Sequence, residues 1–198
     1  MRSLIFDTET TGLCNHKSPD HTVQPHPVQL ACILVDDTDN RIMAMANVLI
    51  YSEVPIETGA YKAHGISKET TEQFGMSVKA ATGLFLNFLN KCDRVVAHNV
   101  DFDLIVTEAM IYRSLADYDM ARYREIPRVC TMRSTTNICK LPGRFGKFKW
   151  PKLDEAYKIL VDEKGFEGAH DALQDVIACW KVLRALEEKG LPLMRGER

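Results

Sequence analysis

The chain has 198 residues, 45% of them hydrophobic and 26% charged, with a net charge of −2. No run approaches the roughly 20 apolar residues that span a bilayer, and the opening MRSLIFDTET turns acidic too soon for a signal peptide, so a cytoplasmic protein without membrane association is expected. The slight acidic excess excludes a protein that grips nucleic acid across many phosphates with Lys and Arg alone, because such binding works by releasing counterions to a basic surface.

In chain order, Ser3-Leu4-Ile5-Phe6 reads as a short buried strand that runs directly into Asp7-Thr8-Glu9-Thr10-Thr11-Gly12. Alternate side chains of a strand share a face, so Asp7 and Glu9 point the same way. Two adjacent carboxylates repel unless a cation neutralises them, and hard oxygen donors favour Mg²⁺ or Mn²⁺ over zinc. The plainer alternative is a strand end entering a polar loop. Residues 14–27 form such a loop, broken by Pro19, Pro25 and Pro27. Its His16, His21 and His26 match no ligand spacing and read as solvated. Strands at 28–36 and 41–51 flank a turn at 37–40 and predict an antiparallel hairpin.

Ser67 has the look of a helix start, and residues 77–91 place Val78, Ala81, Leu84, Phe85, Phe88 and Leu89 on one helical face. A strand at 94–97 leads into Ala97-His98-Asn99-Val100-Asp101-Phe102-Asp103 and a helix. Asp101 suits capping or solvent. Asp103 lies at the carboxyl end of a strand, where open α/β sheets gather their sites. Helices follow near 131–140, 152–161 and 171–188. The last opens on Ala169-His170-Asp171-Ala172-Leu173-Gln174-Asp175. With Asp171 as N-cap, His170 sits on the preceding loop and Asp175 projects from the first turn. The cysteines (14, 32, 92, 130, 139 and 179) have no zinc-knuckle or redox spacing and read as free thiols.

Taken together, these three acidic segments resemble the motifs of the DEDD-h (DnaQ-like) 3′→5′ exonucleases, a superfamily that includes the proofreading epsilon subunit of bacterial replicative polymerase. The family's Asp-x-Glu with following Thr-Gly is matched at 7–12, its His-Asn-x-x-Phe-Asp at 98–103 and its His-x-Ala-x-x-Asp at 170–175. The His64-Gly65-Ile66-Ser67 segment is similar to the family's His-Gly-Ile-Thr. The resemblance spans residues 4 to about 185. It implies an α/β, ribonuclease H-like fold: a five-stranded mixed sheet, its first three strands antiparallel, flanked by helices. Residues 1–190 would form the exonuclease domain and 191–198 a tail too short for a polymerase-tethering module, which leaves polymerase association unknown.

The resemblance also implies the site. Asp7, Glu9, Asp103 and Asp175 would hold two divalent cations, with Asp7 bridging them and His170 as general base. Thr8, Thr10, Thr11 and Leu13 would meet the terminal nucleotide through backbone amides and a hydroxyl. His64, Ile66 and Phe102 would line its base, with Asn99 alongside. The expected partner is a nucleic-acid 3′ end, single-stranded DNA ahead of RNA. An exoribonuclease acting on short RNA or RNA tails is the alternative, and a non-catalytic nucleic-acid-binding adaptor the remoter one.

Two basic segments remain. Arg144 to Lys152 interleaves cations with Phe145, Phe148 and Trp150. It suits either a strand-binding loop or a loop whose aromatics pin it to the core. Arg122, Arg124, Arg128 and Arg133 read as a solvated surface.

Overall fold

The computed structural model describes residues 1–196, as a five-stranded sheet with helices on both faces. Strand β1 (Arg2–Thr10) pairs antiparallel with β2 (Pro27–Asp36), which pairs antiparallel with β3 (Arg41–Leu49). After helices α1 (Thr58–His64), α2 (Lys68–Phe74) and α3 (Val78–Leu89), β4 (Arg94–Ala97) joins the other side of β1 in parallel. Helix α4 (Val100–Ser114) and the short α5 (Ala121–Glu125) lead to β5 (Arg128–Cys130), parallel to β4 at the edge. Helices α6 (Thr131–Cys139), α7 (Leu153–Leu160) and α8 (Ala172–Glu188) complete the chain. The order is β3-β2-β1-β4-β5.

Alternation along β1 divides the core. Leu4 and Phe6 face α3 and α4, packing with Phe85, Leu89 and Leu104, whereas Ile5 faces α8 with Val176, Cys179 and Leu183. β2 is buried along nearly its whole length, so both of its faces read as hydrophobic. Cys32 and Cys179 are buried, and all six cysteines are free. No helix among the described residues is long and apolar enough to cross a membrane.

The structure departs from the sequence reading in several places. β1 runs on through Thr10, because Asp7 to Thr10 keep their ladder with β2. α1, α5 and β5 are too short for a periodicity to show. Asp101 is neither cap nor solvated: it is buried and paired with Arg133 at 3.4 Å. Of the arginine group, Arg122 and Arg124 are exposed as a solvated surface requires, whereas Arg128 and Arg133 are partly buried, Arg128 donating to the Tyr123 carbonyl. His21 stacks on Tyr112 at 3.9 Å and His26 is half-buried, so of the loop histidines only His16 is solvated as expected. Residues after α8 return along β5, where Met194 exchanges hydrogen bonds with Cys130 and Ser134.

Arg94 fastens the far end of the sheet. Its guanidinium, buried, donates to Ser3 (2.6 Å), Asp37 (3.2 Å) and Glu187 (2.6 Å), joining β4, β1, the β2–β3 turn and the end of α8. Truncation leaves two partly buried carboxylates without their cation, so Arg94→Ala is expected to cost about 3 kcal/mol. Urea denaturation of the two proteins measures it.

Candidate active site

The site forms where β1 outlasts its parallel neighbour. β4 pairs with β1 only from Ser3 to Ile5 and stops at Ala97, while β1 continues to Thr10. The N-terminus of α4 fills the space beside the exposed edge. Asn99, at the N-cap position, takes the left-handed conformation (φ 76°) that asparagine tolerates better than most residues. The resulting turn sets Asp103 against β1: the Thr8 amide and hydroxyl both donate to Asp103 Oδ1, at 3.0 and 2.8 Å.

Asp7 and Glu9 are on the α8 face of β1, together with Ile5. β2 contributes Gln29, the register partner of Glu9. Its side chain accepts from the Ala172 amide (3.3 Å) and donates to Asp171 (3.4 Å), tying the start of α8 to the sheet beside Glu9. Asp171 is the N-cap, accepting from the Leu173 and Gln174 amides. His170 precedes it on an exposed turn with φ 70°, and its amide donates to Asp175 Oδ2 at 3.1 Å. Donor atoms of Glu9, His170 and Asp175 lie within 4.8 Å of one another. The five expected residues therefore converge at one end of the sheet.

Electrostatics there is dominated by crowded acid. Burial raises Asp7 well above the usual carboxylate range, and the charges of Asp103, Glu9 and Asp175 raise it further. Glu9 is pushed up to about 8 by burial and then by Asp175 and Asp103. Asp103 is pushed up to about 7, chiefly by burial, despite its bonds from Thr8. Burial raises Asp175 as well, although the His170 amide and ring oppose it. A pocket of oxygen donors that resist ionising together fits divalent cations, whose charge reverses this penalty.

Next to the carboxylates is a cleft of about 350 Å³, lined among others by Thr8, Glu9, Leu13, Glu57, His64 and Phe102. His64 Nδ1 accepts from the Ile66 amide (3.0 Å), so Nε2 carries the proton and donates to the Thr10 carbonyl (3.1 Å). Burial lowers its pKa, and the neutral ring forms a wall. Leu13, 86% exposed, stands at the rim. Ile66 is buried and does not line the cleft, nor do Thr11 and Asn99. Of the threonine hydroxyls, Thr8 donates to Asp103 and Thr10 to the Gly12 carbonyl, while Thr11 Oγ1 accepts from the His26 amide. Sequence reasoning also missed Glu57 and Gln29. The Glu57 carboxylate lies against Gly12, where a Cβ would come within 2.5 Å of Oε1 and displace it.

Comparison with known proteins agrees with this architecture. The model of the RNase_T exonuclease family matches residues 4–183, and the chain belongs to that family. Its class is thus a nuclease of ribonuclease H-like fold. A curated relative, "Uncharacterized exonuclease CP81" of Escherichia phage 186, is 27% identical over 195 residues, 94% of this chain and 89% of the relative. Among solved structures, E. coli exonuclease I in complex with a 5cy-dT13 oligonucleotide superimposes with a TM-score of 0.75 at 19% identity, covering 95% of this chain and 41% of that one. Exonuclease I from Methylocaldum szegediense gives 0.72 at 22% identity, covering 95% and 40%. A zinc ion-bound E. coli exonuclease I–single-stranded DNA complex gives 0.74 at 20% identity, covering 95% and 40%. The chain spans about two fifths of the length of these solved exonucleases.

The raised carboxylates make metal-free stability pH-dependent. A carboxylate whose folded pKa lies above its unfolded value contributes stability below the unfolded value, near 4, and loses it as pH rises through the folded one. Without metal, the melting temperature should fall between pH 5 and pH 8.5, and Mg²⁺ or Mn²⁺ should raise it more at the higher pH. Glu9→Gln should flatten the fall. Differential scanning fluorimetry in EDTA and in 5–10 mM metal, a roughly saturating range for millimolar sites, reads both effects.

Proposed function

We propose that the chain is a 3′→5′ exonuclease that hydrolyses single-stranded DNA and releases nucleoside 5′-monophosphates. The observation that carries this reading is the convergence of four carboxylates and one imidazole beside a cleft. Asp7, Glu9, Asp103 and Asp175 would hold two divalent cations, Mg²⁺ or Mn²⁺, whose chemistry when bound is Lewis-acid polarisation of the phosphate and a lowered pKa for the attacking water.

The protein supplies the rest. The 3′-terminal nucleotide occupies the cleft, its base between Phe102, His64 and Leu13, contacts that tolerate any base. Glu57 disfavours a phosphate beyond that nucleotide, which favours strand ends over internal segments. His170, on its exposed turn before α8, takes the proton from the attacking water. The Asp175 bond from the His170 amide fixes that turn, and Gln29 fixes the helix start behind it. Thr8 holds Asp103 towards Asp7. The DNA assignment is supported by solved neighbours that are exonuclease I complexes with dT13 and dA16 oligonucleotides.

Digestion of matched 5′-labelled single-stranded DNA, duplex DNA and RNA in Mg²⁺ or Mn²⁺ tests polarity, sugar and strandedness together. The expected result is a ladder shortening from the 3′ end, fastest on single-stranded DNA. Label released as a mononucleotide at the outset, or internal cuts, would overturn the polarity, and faster RNA digestion would replace the sugar assignment. His170→Ala should lower turnover by roughly 10²–10⁴-fold while keeping the metal-induced rise in melting temperature.

A further inference from the structure

We infer that the hairpin between α6 and α7 is an arm that holds the DNA strand on the 5′ side of the scissile bond, an inference that rests on the exonuclease reading above. The segment is a small hairpin. Pro142 and Phe148 form an antiparallel bridge, the Gly143 amide donates to the Lys147 carbonyl (2.9 Å), and the Lys149 amide donates to Leu141 (3.0 Å). Its aromatics do not pin it to the core. Phe145 at the tip is 97% exposed and Trp150 58%, with Phe148 also exposed. Cations alternate with them: Arg144 and Lys147 have no acidic partner among the described residues, Lys149 pairs with Glu155, and the Arg133 guanidinium lies 5.2 Å from the Trp150 ring centre.

The arm leads back to the carboxylate site. Its base is fixed by His98, whose Nε2 donates to the Pro151 carbonyl at 3.0 Å. Immediately beyond, Lys152 enters the lining of a second cleft, of about 450 Å³, which it shares with Lys158, Lys164, Phe166, His170 and Asp175. Asp154 also lines this cleft and pairs with Lys158 at 3.7 Å, leaving a net positive wall. The two clefts thus meet the expected hydrolytic centre from different sides, one through Thr8 and Glu9 and the other through His170 and Asp175, and differ in chemistry: one carries Glu57, the other is lined by three lysines and leads to exposed rings.

Single-stranded DNA carries one negative charge and one π-face per nucleotide. A track of alternating cations and aromatic faces complements both, without sequence preference. Such a surface explains how a chain of net charge −2 draws a polyanion to one place. The 3′ nucleotide lies in the cleft that carries Glu57, the next phosphates pass the lysines, and bases several residues upstream stack on Phe145 and Trp150.

The test is binding as a function of length. Phosphorothioate oligothymidylates of three and fifteen nucleotides, which resist cleavage, are titrated in Mg²⁺ against the unmodified protein, Phe145→Ala and the double variant Phe145→Ala/Trp150→Ala. The unmodified protein should bind the longer oligomer at least about tenfold more tightly, the scale of one or two stacked bases. The double variant should lose most of that ratio, through the longer oligomer alone. Phe145→Trp should keep it, and Phe145→Ala, altering a side chain that is 97% exposed, should leave the melting temperature unchanged. No length dependence in the unmodified protein, a ratio unchanged in the double variant, or equal losses for both lengths would overturn the arm. A protein that shows this length dependence but releases nothing from 3′ ends would instead refute the exonuclease reading.

Discussion

Mutual repulsion among four crowded carboxylates, one buried and three partly so, is the constraint on which the rest of this structure depends. Asp7, Glu9, Asp103 and Asp175 come from β1, α4 and α8, and each is held where burial and its neighbours disfavour ionisation. An isolated chain gains nothing from such an arrangement. It persists because hydrophobic packing on both faces of the sheet, Phe6 against Phe85 on one and Ile5 with Val176 and Leu183 on the other, fixes the backbone that carries them. The core tolerates a locally unfavourable cluster, the kind of arrangement that proteins keep at functional sites.

The arrangement follows from unequal strand lengths. Were β4 as long as β1, its backbone would cover the edge that Asp103 occupies. Because it ends at Ala97, Thr8 can turn its amide and hydroxyl to Asp103 rather than to another strand. On the opposite side, β2 places Gln29 beside Glu9, and Gln29 in turn fixes the start of α8. Sheet register thereby positions the loop bearing His170, although that residue is 141 positions from Gln29 in the sequence.

The parts legible in the sequence were those with a local signature. Strand alternation put Asp7 and Glu9 on one face, the N-cap Asp171 separated His170 from the helix of Asp175, and Ser67 and Ser77 each cap a helix as residues of that type do. What stayed hidden depends on tertiary neighbours. Nothing local distinguishes Asp101, buried against Arg133, from a solvated acid, or shows that the Thr8 and Thr10 hydroxyls have acceptors within the protein. Gln29 and Glu57 lie in no acidic motif, and only folding brings them to the site. The 144–152 segment allowed two readings from composition, and the exposure of Phe145 removes the one in which its ring anchors the loop.

The overall charge of the chain gives no hint of a polyanionic substrate, and the geometry shows why it need not. In the proposed reading, the strand is engaged at a few phosphates, and the acids that dominate the composition near the site are neutralised when cations are bound. Long-range attraction would be weak and readily screened. Discrimination then rests on short-range features: a cleft whose far wall carries Glu57, and a lysine-lined approach on the other side of His170. A strand seated by an internal segment would bring a phosphate to Glu57, whereas one seated by its end need not. In that reading the confinement of cleavage to strand ends is a property of where the two kinds of wall stand relative to the carboxylates, and the carboxylates themselves are indifferent to it.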